Sequence, residues 1–513
     1  MRHHTISLSS LSSLSSLLSL LLVSLSAQAG YPEGLAAYNK NDFNAALNEW
    51  RPMADQGDAR AQYQLGWMFE RGEGVKQDYA QAVAWYRKAA EQGYAHAQIN
   101  LANLYTLGHG VSQNHKQAVA WYRKAADQGY TSAPVNAGIR FENGDVAESE
   151  YDLPRYRRPV ESDRVVVQFN LANILYNNGH GVAQDYDQAV AWYRRAAEQG
   201  HALAQINLGN MYNNGQGVQQ NHKMALYWYR RAAEQGNTYA LNNIGNMYRK
   251  GLGVKQDFAQ ALHWYRKAAD LGDAGAQVNL GLMYYTGEGV RQDFNDAFQW
   301  YSRAAQQGDA GAQYNLGLMY FHGEGVAQDY LEASEWYRRA AEQGHALAQH
   351  NLGNMYMKGL GVEQDFTMAV QWHRKSGFQG DAHAQNKLGD LLFANGHGAP
   401  QDYEEAAQWY LKSAEQGYAP AQFNLANMYR RGIGVKQDFG KAATWYRKAA
   451  EQGDVNSQYL LGIIYSNGEG VKQDMAQALD WYRRAAEQGH AGAQYNLGIM
   501  YAKGRGTLSM LSR

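Results

Sequence analysis

The 513-residue chain has no cysteine, which excludes disulfides, thiolate metal sites, cysteine nucleophiles and a lipidated N-terminal cysteine together. Stability must therefore come from packing and hydrogen bonding. An excess of charge is also missing. Lys plus Arg number 47 against 48 Asp plus Glu, so no basic field gathers phosphates and nucleic acid is not expected as a partner. Beyond the first 29 residues there is no long apolar run, and no transmembrane segment is expected once they are removed. Proline is scarce, and Pro134, Pro154 and Pro159 supply three of the seven within 133–166. Reaction signatures are absent too: no Ser precedes a Lys by three residues, no Gly-x-Ser-x-Gly occurs, and no His opens an HExxH.

Apolar residues make up 45% of the chain, enough to build a buried interior. At the N-terminus, Arg2, His3 and His4 lead into a Leu/Ser run densest at Leu17 to Leu25, followed by Ala27-Gln28-Ala29. A short interrupted apolar stretch before a small-x-small triplet reads as a cleavable secretory signal over 1–29, which predicts a secreted or periplasmic protein. Cleavage after Ala29 removes Arg2 and leaves 46 basic against 48 acidic residues, a net charge of −2.

The dominant signal is periodic. Trp192, Trp228, Trp264, Trp300, Trp336 and Trp372 stand 36 residues apart, and Trp409, Trp445 and Trp481 resume the period after one inserted residue. A fixed period of this length marks one supersecondary unit per repeat. In the copy at 61–96, Ala61, Leu65, Met68 and Phe69 share one helical face, which defines helix A. Gly72 stops that helix and Gly74 permits a second bend. Asp78 then caps helix B, with Gln81 placed to close a capping box. Ala82, Trp85, Tyr86, Ala89 and Ala90 again share a face, and Gly93 ends the unit.

Helices of about 13 residues are too short to stand alone, so the apolar stripes must stack on neighbouring repeats. Trp85 and Tyr86 are expected to fill the space between units, with Ala61 and Gly66 allowing close approach. Trp300, read as fully buried, should then be worth about 3–5 kcal/mol. The expected fold is all-α, a solenoid of about twelve helix-turn-helix repeats with no strand, on the order of 100 Å long and with an extended concave surface.

The organisation reads as a signal over 1–29, cap helices over 30–60, and two repeats over 61–132. A degenerate unit follows over 133–166, then repeats over 167–492 and an incomplete repeat over 493–513. The prolines of 133–166 predict a loop or disrupted helix. At the C-terminal end, Leu497, Met500 and Tyr501 lack their usual cover, which makes self-association there an expectation.

Asparagine marks the candidate binding face. Asn100, Asn170, Asn207, Asn243, Asn279, Asn315, Asn351, Asn424 and Asn496 occupy one slot of helix A. Asn103, Asn173, Asn210, Asn246, Asn354 and Asn427 follow three residues later and share its face. On a concave surface such amides form a ladder able to bond an extended peptide; alternatively they bond neighbouring repeats or water. Variable ends of helix A, at Arg249-Lys250, Phe321-His322, Met357-Lys358 and Arg430-Arg431, are further candidates. His109, His180 and His397 in the turn, and His201, His345 and His490 after helix B, read as solvated loop positions. Equivalent slots lie about 10 Å apart, too far to converge on one ion, so neither a metal nor a cofactor is expected.

The recurring A-Q-x-x-L-G-x-M-Y-x-x-G-x-G-V-x-Q-D followed by A-x-x-W-Y-R-[KR]-A-A-E-Q-G, almost unaltered at 312–347, resembles the Sel-one-like repeat, a relative of the tetratricopeptide repeat. The resemblance implies a right-handed αα superhelix acting as scaffold, adaptor or secreted factor, with some bacterial members engaging host proteins. A cysteine-rich branch is linked to penicillin binding, and the absence of cysteine departs from it. The expected function is a non-enzymatic scaffold of the cell envelope or exterior, taking a partner protein or peptide, host proteins included, on the concave helix A surface. The alternative is an envelope hydrolase of β-lactamase-like or penicillin-binding type, with a site between Glu142 and Asp163.

Overall fold

The computed structural model describes residues 30–128, 139–142, 145–148, 163–177, 182–394 and 400–503. The leader, most of the irregular unit, and His180 and His397 lie outside them. Two compact units, Met1–Trp264 and Tyr265–Arg513, divide the chain. Each is built from the same antiparallel helix pair. The first opens with helices over 30–39 and Phe43–Asp55, whose Trp50 is fully buried as the centre of a cap.

Helix A over Ala310–His322 and helix B over Tyr330–Glu342 show how the sequence sets the unit. Asp309 accepts a hydrogen bond from the Ala312 N–H at 2.7 Å, and Gly323 ends helix A at φ +74°. Asp329 starts helix B by accepting from the N–H groups of Leu331 and Glu332 at 2.9 and 3.1 Å. The reciprocal half of the capping box does not form. The backbone N–H of Asp78 donates to the Phe69 carbonyl at 2.9 Å, as that of Asp329 does to Tyr320, so no N–H is left for the glutamine of the next turn to satisfy. Another glutamine pins the loop: Gln328 Nε2 donates to the Phe321 carbonyl at 2.8 Å.

In the repeats of Trp300 and Trp336 the fully buried ring is the tyrosine, whereas Trp85, Trp228, Trp372, Trp409 and Trp481 are themselves buried. Tyr301 and Tyr337 are each 1% exposed. Each packs on the small residue of its own helix A, where a Cβ added to Gly317 would meet Tyr337 Cδ1 at 2.5 Å. Trp300 is only half-buried, with the Arg303 guanidinium 4.5 Å above its ring. This corrects the assignment of Trp300 as a fully buried anchor, because one face of the indole is covered by a solvent-facing cation. Trp300→Ala is accordingly expected to cost about 1–3 kcal/mol in urea denaturation, and Tyr301→Ala about 3–5 kcal/mol.

A buried polar relay, absent from the sequence reading, joins successive repeats. Gln313 Nε2 donates to the Ala305 carbonyl of the preceding helix B at 3.3 Å, while its Oε1 accepts from Gln343 Nε2 at 2.8 Å. Gln62 and Gln92 repeat the arrangement in the first unit. Both ends of the buried amide are thereby satisfied, which the interior requires.

The expectation of no strand is corrected by a short antiparallel pair, Ile139–Glu142 with Asp145–Glu148, in which Ile139 is opposite Glu148. Extended pairing gives this non-helical backbone hydrogen-bond partners that a proline-broken helix would lack. Among the described residues no helix is long and apolar enough to cross a membrane.

Candidate binding surface on helix A

Within the first unit the asparagines are tied to the buried tyrosines. Tyr122, Tyr193 and Tyr229 donate through their hydroxyls to Oδ1 of Asn103, Asn173 and Asn210 at 2.5, 2.5 and 2.7 Å. The leading asparagine of the next repeat reaches back. Asn100 Nδ2 donates to Tyr86 Oη at 3.0 Å and Asn207 Nδ2 to Asn173 Oδ1 at 3.5 Å, while Asn170 Nδ2 is buried with no hydrogen-bond partner among the described residues. Burial pushes these phenols up, to about 12 for Tyr122, so they remain neutral donors. Asn243 Nδ2 is buried without a partner, and Asn246 is engaged.

In the second unit, Tyr446 donates to Asn427 Oδ1 at 2.8 Å, and Asn424 Nδ2 donates to Asp390 Oδ1 at 3.3 Å. Asn351 stands beside the hydroxyls of Tyr314 and Tyr337, and Asn496 beside that of Tyr482. Asn279 is engaged and Asn315 half-buried. Asn354 departs from the pattern. Its Nδ2 lies 2.9 Å from His350 Nε2, and no tyrosine reaches its Oδ1, because the tyrosine slot of that repeat holds His373. The asparagines thus line one face of helix A with part of their bonding capacity spent inside the fold. Only Asn100, Asn103, Asn170 and Asn173 are fully buried.

The post-helix histidines correct the solvated-loop reading. His201, His345 and His490 cap helix A, each accepting through Nδ1 from the N–H three residues on, at 3.1, 3.2 and 3.1 Å. Each also packs on the aromatic ring of the preceding helix A: Phe169, Tyr314 and Tyr459 at 4.6, 4.7 and 4.3 Å. Burial holds His201 down at about 4, which keeps Nδ1 free to accept. Their fixed place immediately before a helix, where Asp273 and Asp309 stand in other repeats, was the available signal.

Helix A over Ala310–His322 and its successor over Ala346–Lys358 enclose an open pocket of about 340 Å³. Tyr314, Leu318, Tyr337 and Met355 are among its apolar and aromatic lining, with His322, Asn351, Asn354 and Lys358 as polar lining. Among the described residues no cluster of His, Asp or Glu could hold a metal ion. At the last helix, Ala491–Ala502, no atom lies within 4 Å of a Cβ built on Gly498, while Tyr495 and Tyr501 are exposed.

The chain matches the family model described as Sel1 repeat in twelve segments, from 59–94 to 491–509, none of which falls within 131–164. A protective antigen of uropathogenic Escherichia coli with an SLR fold is similar over 89% of this chain and 90% of its own, at 38% identity and a TM-score of 0.54. A Sel1 repeat protein from Oxalobacter formigenes is similar over 59% of this chain and 87% of its own, at 35% identity and a TM-score of 0.46. Among curated proteins no match was found. Helix pairs closed by paired glycines, tyrosines such as Tyr301 and Tyr337 seated on helix A, and twelve matched segments agree, and the chain belongs to the Sel1 repeat family.

Proposed function

We propose that this Sel1 repeat scaffold is exported to the cell envelope or beyond and binds a partner protein through the helix A surface, including the half-buried asparagines. The observation that carries the reading is the division of labour along helix A. Tyrosine, glutamine and the paired glycines fix a repeated frame, while the ends differ between otherwise matching copies, as at Phe321-His322 and Met357-Lys358. Surfaces that vary on a rigid frame are where recognition is placed. The E. coli relative, a protective antigen, supports exposure outside the cytoplasm. N-terminal sequencing of the exported protein is expected to begin at Gly30.

The binding test replaces Asn207, Asn210, Asn243 and Asn246 by Ala and follows thermal stability together with cross-linked partner recovery from envelope and host-cell extracts. Loss of the Tyr229 to Asn210 bond should lower stability by about 1–3 kcal/mol. Weaker recovery beyond that expected from the stability loss supports the ladder as a contact surface; unchanged recovery retires it. Turnover of a labelled β-lactam by the intact chain would instead favour the hydrolase.

A further inference from the structure

Two departures from the repeat pattern meet at one place, and together they build the pocket between Ala310–His322 and Ala346–Lys358. The helix A slot that holds Asn103, Asn173, Asn210 and Asn427 in other repeats holds Leu318. Tyr337 therefore has no amide acceptor in its own repeat, and Asn351 of the next repeat stands beside its hydroxyl in the pocket lining. The second departure is His373 in the tyrosine slot. Lacking a hydroxyl, it leaves Asn354 Oδ1 without the donor that Asn210 receives from Tyr229. One change opens apolar space and the other frees a hydrogen-bond acceptor beside it.

The lining has a definite chemical character. Leu318, Met355 and Leu360 give an apolar floor, and Tyr314, Phe321 and Tyr337 give aromatic walls. No acidic side chain lines it, and Lys358 stands at the rim without an ion pair among the described residues. A volume near 340 Å³ is at the lower end for ligand pockets, suited to one large side chain.

Building on the helix A reading above, we propose that this pocket takes one aromatic or bulky aliphatic side chain of an extended partner peptide. The backbone N–H of that residue bonds Asn354 Oδ1, and an adjacent acidic residue pairs with Lys358. Extended-peptide recognition combines backbone bonding with a side-chain pocket in this way. The arrangement sets a sequence preference, apolar then acidic, at a single point of the array.

Fluorescein-labelled octapeptides with Gly/Ser flanks around Phe-Glu, Phe-Lys or Ala-Glu test it by fluorescence polarisation with the full chain. The Phe-Glu peptide is expected to bind at least about tenfold more tightly than the other two, since an anchor and a paired charge each contribute at this scale. Leu318→Trp, which copies Trp67 of another repeat, should fill the pocket and abolish binding, and Leu282→Trp one repeat earlier should leave it unchanged. His373→Tyr should weaken binding by returning a donor to Asn354. Absence of Phe-Glu binding, or binding indifferent to Leu318→Trp, overturns the pocket assignment but leaves the wider helix A reading to the asparagine experiment. Tighter binding of free p-cresol than of the peptide, or concentration-dependent dimerisation lost in Leu318→Trp, would overturn it in favour of a small aromatic ligand or a second copy.

Discussion

Lowering the pH from 7 to 5 is expected to remove about 2 kcal/mol from the repeat at Ala346–Phe378 through His373 alone. This histidine is completely buried, and neither ring nitrogen has a hydrogen-bond partner. Burial, and secondarily the nearby His350 and Lys387, hold it down from 6.5 to about 3. The sign follows from proton counting. Below 6.5 the unfolded chain binds a proton that the folded one refuses, so stability present at neutral pH is lost as the pH falls toward 3. Over the whole window the limit is about 5 kcal/mol, large against the total stability of a domain. His373→Tyr should remove this share of the acid sensitivity and raise neutral stability, because the new hydroxyl can donate to Asn354 as Tyr229 does to Asn210. Hydrogen exchange of amides 346–378 at both pH values checks it. Equal acid losses in the two proteins would show that His373 is not the titrating group. The comparison stays at mildly acidic pH, where Asp58, held low against the raising effect of its burial by Arg60, and Glu405, held low by Arg374, keep their charges.

The helix pair and its turn were legible in the sequence because their causes are local. Gly72 and Gly74 adopt φ values of +74° and +71°, and Asp78 accepts from the Gln81 N–H, as spacing and capping chemistry indicated. The asparagine face was legible only as a face. Spacing of three residues places Asn207 and Asn210 side by side, yet whether an amide meets a ligand or a tyrosine depends on contacts such as Tyr229 to Asn210, nineteen residues apart. The same limit hid the glutamine relay, which spans thirty residues from Gln343 to Gln313. It also hid the capping histidines, each of which packs on an aromatic ring of the previous helix A, as His490 does on Tyr459. Trp300 misled for a related reason. The regular period marks a fixed place, and Trp228 and Trp409 are buried there, but at Trp300 one face is covered by the Arg303 guanidinium, 4.5 Å from the ring.

Gly361→Ala is expected to destabilise the second unit by roughly 2–5 kcal/mol, combining left-handed strain with overpacking. Gly361 has φ +66°, and a Cβ built on it would overlap the Tyr330 carbonyl, the first residue of the preceding helix B. The obstacle is backbone, which cannot turn aside as a side chain can. Gly317→Ala is the contrasting case. Its Cβ would meet the Tyr337 ring at 2.5 Å, but Ala102, Ala172 and Ala426 occupy the same slot opposite Tyr122, Tyr193 and Tyr446. A ring can shift by tenths of an ångström, and the gain in helix propensity of about 1 kcal/mol offsets the contact. The expected cost is therefore within about 1 kcal/mol. Urea denaturation of the two variants separates the causes: a similar loss in both would mean that helix A packing, and not the close approach of turn to helix B, controls how one repeat seats on the next.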